Sequence, residues 1–131
     1  MSRILVIGDC HIPSVHPGYL RFCQDLRDRH KCDTIVHIGD VVDHHSVSFH
    51  ARVPDMPGPR DEFAQVIQGI KPWVKAFPHM KVCVGNHDRR VIRLAESVNI
   101  PAVYLRNYAE VWGTPNWDWQ DEFILDGCHF S

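Results

Sequence analysis

Three short apolar runs in this chain end in the same way. Arg3–Gly8 reads RILVIG, Thr34–Gly39 reads TIVHIG and Lys81–Gly85 reads KVCVG. Each is continuous rather than alternating, the pattern of a strand buried on both faces. Each closes on glycine and continues with Asp or Asn: Gly8-Asp9-Cys10-His11, Gly39-Asp40-Val41-Val42-Asp43 and Gly85-Asn86-His87-Asp88. Helical periodicity fills the intervals. Tyr19, Phe22, Cys23, Leu26 and His30 recur at helical spacing after Pro17. Phe63, Val66, Ile67, Ile70, Val74 and Phe77 mark a second helix, which Gly69 and Pro72 should weaken or kink. Val91, Ile92, Ala95 and Val98 mark a third, starting near Asp88, and Tyr104, Leu105, Tyr108, Val111 and Trp112 a short fourth. Asn116–Asp126 reads as strand or hairpin, and a fourth strand runs toward Phe130. The first two strands start 31 residues apart, at Arg3 and Thr34, which fits one βαβ unit. The order βαβαβα followed by β predicts an α/β fold built on a parallel sheet.

Composition narrows the classes. With 131 residues, 44% of them hydrophobic and 23% charged, the chain reads as one globular domain over residues 1–131 and not as a disordered one. A net charge of −2 leaves no basic face for non-specific nucleic-acid binding. No apolar run approaches the ~20 residues of a membrane span, and the N-terminus lacks the apolar core of a signal peptide. The five cysteines are odd in number with no CxxC, which predicts free thiols packed as small core residues in a reducing, cytoplasmic setting. Val53–Arg60, with three prolines, must be a loop.

In open α/β sheets ligands bind beyond the carboxyl ends of the strands, where the three Gly-led segments lie. Their carboxylate, amide and imidazole groups suit divalent cations. Asp9 and His11, two positions apart on an extended segment, would point to the same side. A carboxylate such as Asp40 on a central strand could bridge two ions. Each segment alone also reads as a plain turn, and Asn-His-Asp as a helix cap with Asp88 near the N-cap. The three together, in order, point to a site.

GDCH, GDVVD and GNHD, spread over Arg3–Arg90, resemble the first three motifs of the calcineurin-like metallophosphoesterase family. The resemblance implies an α-β-β-α sandwich with a dinuclear centre of divalent ions (Mn, Fe, Zn, Ni or Mg) between the strand ends. It implies that Asp9 and His11 hold the first ion, that Asp40 bridges, and that Asn86 holds the second. His87 would be the general acid or phosphate-contacting residue, held by Asp88, and Asp43 would fix the loop without being a ligand. The residues agree with these roles: an imidazole next to a ligand can protonate a leaving alkoxide, and Asp88 could fix its tautomer. Of Arg89 and Arg90, one could meet a phosphate oxygen; Arg89 is taken as the substrate-binding candidate.

The family's two later motifs, a histidine at a strand end and Gly-His-x-His, are absent, and His129 is the sole histidine after His87. His129 lacks the following glycine, so the chain is read as the N-terminal part of the sandwich, truncated before the remaining ligands. Four donors for two ions predict weak or single-ion binding, possible loss of both ions, and little turnover. The expected activity is hydrolysis of a phosphomonoester or phosphodiester, with nucleotide, nucleic acid and phosphoprotein substrates undistinguished. The alternative is an inactive remnant serving as a binding or scaffold protein, with an exposed sheet face prone to self-association. The long loop His44–Arg60 and compact spacing resemble small prokaryotic or phage members. Among the other histidines, His37 is expected in the core. His44, His45 and His50 are expected in a solvated loop bordering the site, His16 near its mouth, and His30 and His79 at the surface. Trp112, Trp117 and Trp119 are expected to pack in the core, since a base-stacking platform normally comes with a basic groove.

Overall fold

The computed structural model of the chain describes residues 2–47 and 58–131. His50 and most of the proline-rich loop therefore lie outside the described residues. The elements run β1 (Ile4–Ile7), α1 (Tyr19–His30), β2 (Thr34–His37), α2 (Pro59–Ala76), β3 (Met80–Cys83), α3 (Arg90–Ser97), a 3₁₀ turn at Ala102–Tyr104, α4 (Tyr108–Trp112), β4 (Trp117–Gln120), β5 (Phe123–Leu125) and β6 (Cys128–Phe130). Strands β1 to β4 form one sheet in the order β1-β2-β3-β4, every pair parallel. The α/β class and the parallel sheet expected from the three apolar runs are both present.

The strands are too short to carry long patterns, but their alternation sorts the two faces. Leu5, Ile7, Ile35, Met80 and Val82 face the helices and join Cys23, Val66, Ile70, Trp73 and Phe77 in the main core. Val36 and Cys83 face the opposite side, where β5 and β6 fold back as an antiparallel hairpin that lays Phe123, Leu125 and Phe130 over them. The hairpin covers only part of that face: Val6 and Ile38 stay 47% and 43% exposed. This is where the strand reading needs correcting. The fourth sheet strand is β4, ending at Gln120, and Phe130 belongs to the hairpin.

Helix α2 also departs from expectation. It begins at Pro59, a favourable first position, and runs unbroken through Gly69 and Pro72 to Ala76. Gly69 is there for packing: a Cβ at that position would come 2.8 Å from Cγ2 of Ile12, in the loop after β1. The expected fourth helix is split. Asn107 accepts the Glu110 N–H at 2.9 Å and so starts α4 at Tyr108, leaving Leu105 extended. Trp112 and Trp117 are buried as expected, and the Trp117 indole donates to the Phe77 carbonyl at 2.7 Å. All five cysteines are free. Among the described residues, no helix is long and apolar enough to cross a membrane.

Candidate metal centre

The segments after β1 and β2 stay paired beyond the strands. The amides of Asp9, His11 and Ile12 donate to the carbonyls of Gly39, Asp40 and Val41 at 3.2, 2.9 and 2.8 Å. This pairing is bent by left-handed residues. Asp9, His11 and Asp40 have φ of 51°, 50° and 57°, a region that costs a residue with a Cβ about 1–2 kcal/mol and that Asp tolerates better than most. Asp9 and His11 still emerge on one side while Cys10 between them is buried. The expected alternation thus holds, through two left-handed kinks in place of regular strand.

Two glycines let the second and third segments meet. A Cβ on Gly39, itself at φ 111°, would lie 2.8 Å from Cα of Gly85. A Cβ on Gly85 would overlap the amide and carboxylate of Asp40. At Gly39 and Gly85 the glycine is therefore required by close backbone approach at the strand ends. Tyr19, opening α1, fixes the first segment from the other side. Its hydroxyl donates to the Gly8 carbonyl at 2.8 Å and accepts the Gly8 N–H at 3.2 Å.

Against this frame the side chains converge. Nε2 of His11 lies 3.7 Å from Oδ1 of Asp9 and 3.9 Å from Oδ2 of Asp40. Its Nδ1 faces Oδ1 of Asp43 at 2.8 Å. A carboxylate can only accept, so Nδ1 donates and Nε2 is the nitrogen turned toward the two carboxylates. A carboxylate behind a ligating histidine is the usual arrangement at metal sites. Donors bound about 2.1 Å from one ion lie up to ~4 Å apart, which the two spacings to His11 match. The residues therefore fit a divalent ion. The other oxygen of Asp40, Oδ1, accepts the His87 N–H at 2.8 Å. His87 joins His11 and Asp40 in a group whose ligand atoms lie within 4.8 Å of one another, and its ring meets that of His11 edge-on at 4.5 Å. Asn86 stands exposed on the same turn, between Gly85 and His87.

Asp88 is placed differently from expectation. It is 1% exposed, and its oxygens accept the N–H groups of Asp40 at 2.9 Å, Gly85 at 2.9 Å and Val42 at 3.0 Å. Burial is the main influence on its carboxyl and raises its pKa, and the Val42 and Gly85 amides oppose that by stabilising the charge. It ties the ends of β2 and β3 together and does not hold the His87 ring. The group on Nδ1 of His87 is the Asp43 carbonyl, at 2.7 Å, so that nitrogen donates and Nε2 is left to accept. Arg89 also differs: it pairs with Asp121. Arg90 is the arginine beside the site, donating to the carbonyls of Asp43 and His44 at 3.0 Å each, with Nη2 3.4 Å from Nε2 of His87.

The family model for the calcineurin-like phosphoesterases matches residues 2–127. The chain belongs to the calcineurin-like phosphoesterase family. No match was found among curated proteins. Membership brings metal-dependent phosphoester hydrolysis as the family's chemistry, and His11, Asp40 and His87 of the strand-end segments form a group that could hold a metal ion.

The other histidines of the chain sort by burial. His37 is in the core as expected: Nδ1 accepts the Gly39 N–H at 3.0 Å, Nε2 faces Sγ of Cys10 at 3.3 Å, and burial pulls its pKa down to about 3. His16, His30 and His79 are exposed. His129 lies in the hairpin, 2.7 Å from Glu122, and is not at the end of a sheet strand. His44 and His45 are not solvated. His44 is 7% exposed and packs against Trp112; burial pushes its pKa down to about 4, with the Glu62 charge opposing that. His45 lies against Glu62 of α2, a residue the sequence did not single out. In sequence, Glu62 is simply an acid in the first turn of a helix, where the dipole favours one.

Proposed function

We propose that this phosphoesterase hydrolyses phosphomonoesters or phosphodiesters at the β1–β2–β3 strand ends, with Asp9, His11 and Asp40 holding a divalent ion. Asp40 and Asn86 would hold a second. The observation that carries the reading is the approach of the Asp9 and Asp40 carboxylates to Nε2 of His11, with Asp43 behind it. When bound, the ions supply Lewis acidity toward a phosphoryl oxygen and acidify water.

The chain's own residues do the rest. The Asp43 carbonyl holds the His87 ring by Nδ1, which leaves Nε2, 3.4 Å from Nη2 of Arg90, as the nitrogen that would exchange a proton with a leaving alkoxide. Asp88 acts one step back, by fixing the backbone that carries Asp40. Arg90 keeps positive charge beside Nε2 of His87 and is better placed than Arg89 to meet a phosphate oxygen. The second ion is the weaker one in this reading. Oδ1 of Asp40 is already engaged by the His87 amide, and Asn86 is exposed. Single-ion loading and slow turnover are therefore expected of these residues, and Mn²⁺ suits the carboxylate-rich donor set.

The test is hydrolysis of p-nitrophenyl phosphate and its bis ester in Mn²⁺, with Asp40→Asn as control. Turnover abolished by that change supports the proposal. No turnover in Mn²⁺, Ni²⁺, Zn²⁺, Fe²⁺ or Mg²⁺ would overturn it in favour of a binding or scaffold protein.

A further inference from the structure

Behind His11 sits a second convergent group. Asp43 and His45, from the loop after β2, and Glu62, from α2, each place a ligand atom within 4.8 Å of the others. Glu62 is 2% exposed, and its carboxylate accepts the amides of His45 and Ser46 at 2.9 and 3.3 Å and the Ser46 hydroxyl at 2.5 Å. Nδ1 of His45 lies 2.6 Å from Oε2 of Glu62 and 3.4 Å from Oδ2 of Asp43. Neither contact is aligned as a hydrogen bond, and both ring nitrogens of His45 are buried with no hydrogen-bond partner among the described residues. Their ligand atoms are close enough to one another to surround a single ion. Two carboxylates in a poorly solvated place also call for a cation.

We infer that Asp43, His45 and Glu62 bind a divalent cation of their own, separate from the ion held by Asp9, His11 and Asp40. One imidazole and two carboxylates suit Mn²⁺, Fe²⁺ or Zn²⁺. Asp43 belongs to both places: Oδ1 accepts the hydrogen bond from Nδ1 of His11 at 2.8 Å, while Oδ2 faces His45. An ion drawing charge from Asp43 would weaken its hold on His11, so filling the rear site tunes the front one. That coupling rests on the proposed function, whereas occupancy of the rear site does not.

The experiment counts Mn²⁺ bound to the full chain, by paramagnetic resonance of the free ion, and repeats the count with Zn²⁺ by calorimetry. The variants are Asp40→Asn, His45→Ala and Asp40→Asn with His45→Ala. We expect Asp40→Asn to lose the front site and keep one bound equivalent, and the double variant to lose that equivalent too. His45→Ala leaves Glu62 its bonds to the loop amides, so circular dichroism should show a folded chain, and Glu62→Gln provides a second test of the same equivalent. The inference is overturned if Asp40→Asn binds neither Mn²⁺ nor Zn²⁺. It is equally overturned if the retained equivalent survives both His45→Ala and Glu62→Gln, because His45 would then be only an imidazolium between two carboxylates. Absent phosphoesterase activity with a rear site that obeys the variants would sink the proposed function alone.

Discussion

Replacing Asp88 by Asn separates a structural tie from a catalytic partner. In the parent, Oδ2 accepts two amides, those of Asp40 and Gly85, and Oδ1 accepts that of Val42. Asparagine keeps one carbonyl oxygen. Placed at the Oδ2 position it retains two acceptances, but its NH₂ then faces the Val42 N–H, donor against donor. One hydrogen bond to a charged acceptor is worth about 1.5–3 kcal/mol, and a buried donor left unpaired costs about 1–3 kcal/mol. The two retained bonds weaken as well, because their acceptor is now neutral. Against this, burial raises the carboxyl pKa of Asp88, so removing the charge returns part of its desolvation cost. The net expectation is a loss of about 2–4 kcal/mol, or roughly 6–16 °C in Tm for a chain of this size.

Thermal melts followed by circular dichroism, with urea midpoints beside them, measure the loss in metal-free buffer. Alanine at the same position should lose more, because all three amides are then orphaned. A Tm for Asp88→Asn within about 2 °C of the parent would refute the tie, since a surface change typically stays within ~0.5 kcal/mol. An unchanged Tm with a collapsed rate would instead return Asp88 to a role beside His87.

Three further outcomes are expected. Gly85→Ala, whose Cβ would overlap the Asp40 amide and Oδ1, should destabilise the chain by about 1–3 kcal/mol and weaken Mn²⁺ binding in calorimetry; unchanged affinity would contradict the close approach. His37 and His44, neutral in the fold with pKa values lowered to about 3 and about 4, leave the unfolded chain the better proton binder below pH 6.5. Their stability contribution is therefore complete above pH 6.5 and lost as pH falls toward 4, about 2 kcal/mol each by pH 5, and a urea midpoint that stays flat from pH 7 to 5 would exclude it. Asp43→Ala, which removes the acceptor on His11 Nδ1, should lower metal affinity about 10–100-fold by calorimetry, and unaltered affinity would show that Asp43 does not orient His11.

What the sequence made legible is what is local. Each apolar run, its glycine and the polar residues after it lie within a few positions, and the sheet sets them side by side. Gly39 and Gly85 stand at equivalent strand ends and touch because β2 and β3 are neighbours. What stayed hidden depends on pairs far apart in the chain. Asp88 follows His87 directly, and that adjacency suggested a partnership. The turn instead sends the Asp88 carboxylate inward to amides at Asp40 and Val42, 48 and 46 positions earlier. Arg89 and Arg90 leave the turn in different directions for the same reason, one toward Asp121 and the other toward Asp43. Glu62 carried only the ordinary signal of an acid at a helix start, and its contact with His45 appears only when α2 packs on the loop after β2.

The chemistry of the front site also explains why aspartate and not glutamate stands at positions 9 and 40. Both residues hold a left-handed backbone, at φ 51° and 57°, where a short polar side chain suffers least. That backbone is held by bonds that involve no ion: Asp9 and His11 donate to the carbonyls across from them, and Asp88 takes the Asp40 amide. His11 is likewise turned by Asp43, so its Nε2 already faces the two carboxylates. The strain is met by the fold, and the donors stand in place before an ion arrives. An ion entering such a site need not organise the chain, so binding should show little change in secondary structure and should raise stability only through mass action. Glutamate at either position would carry a longer side chain on the same strained backbone. The fixed spacing between Nε2 of His11 and the two carboxylates, on which the proposed chemistry rests, would then be lost.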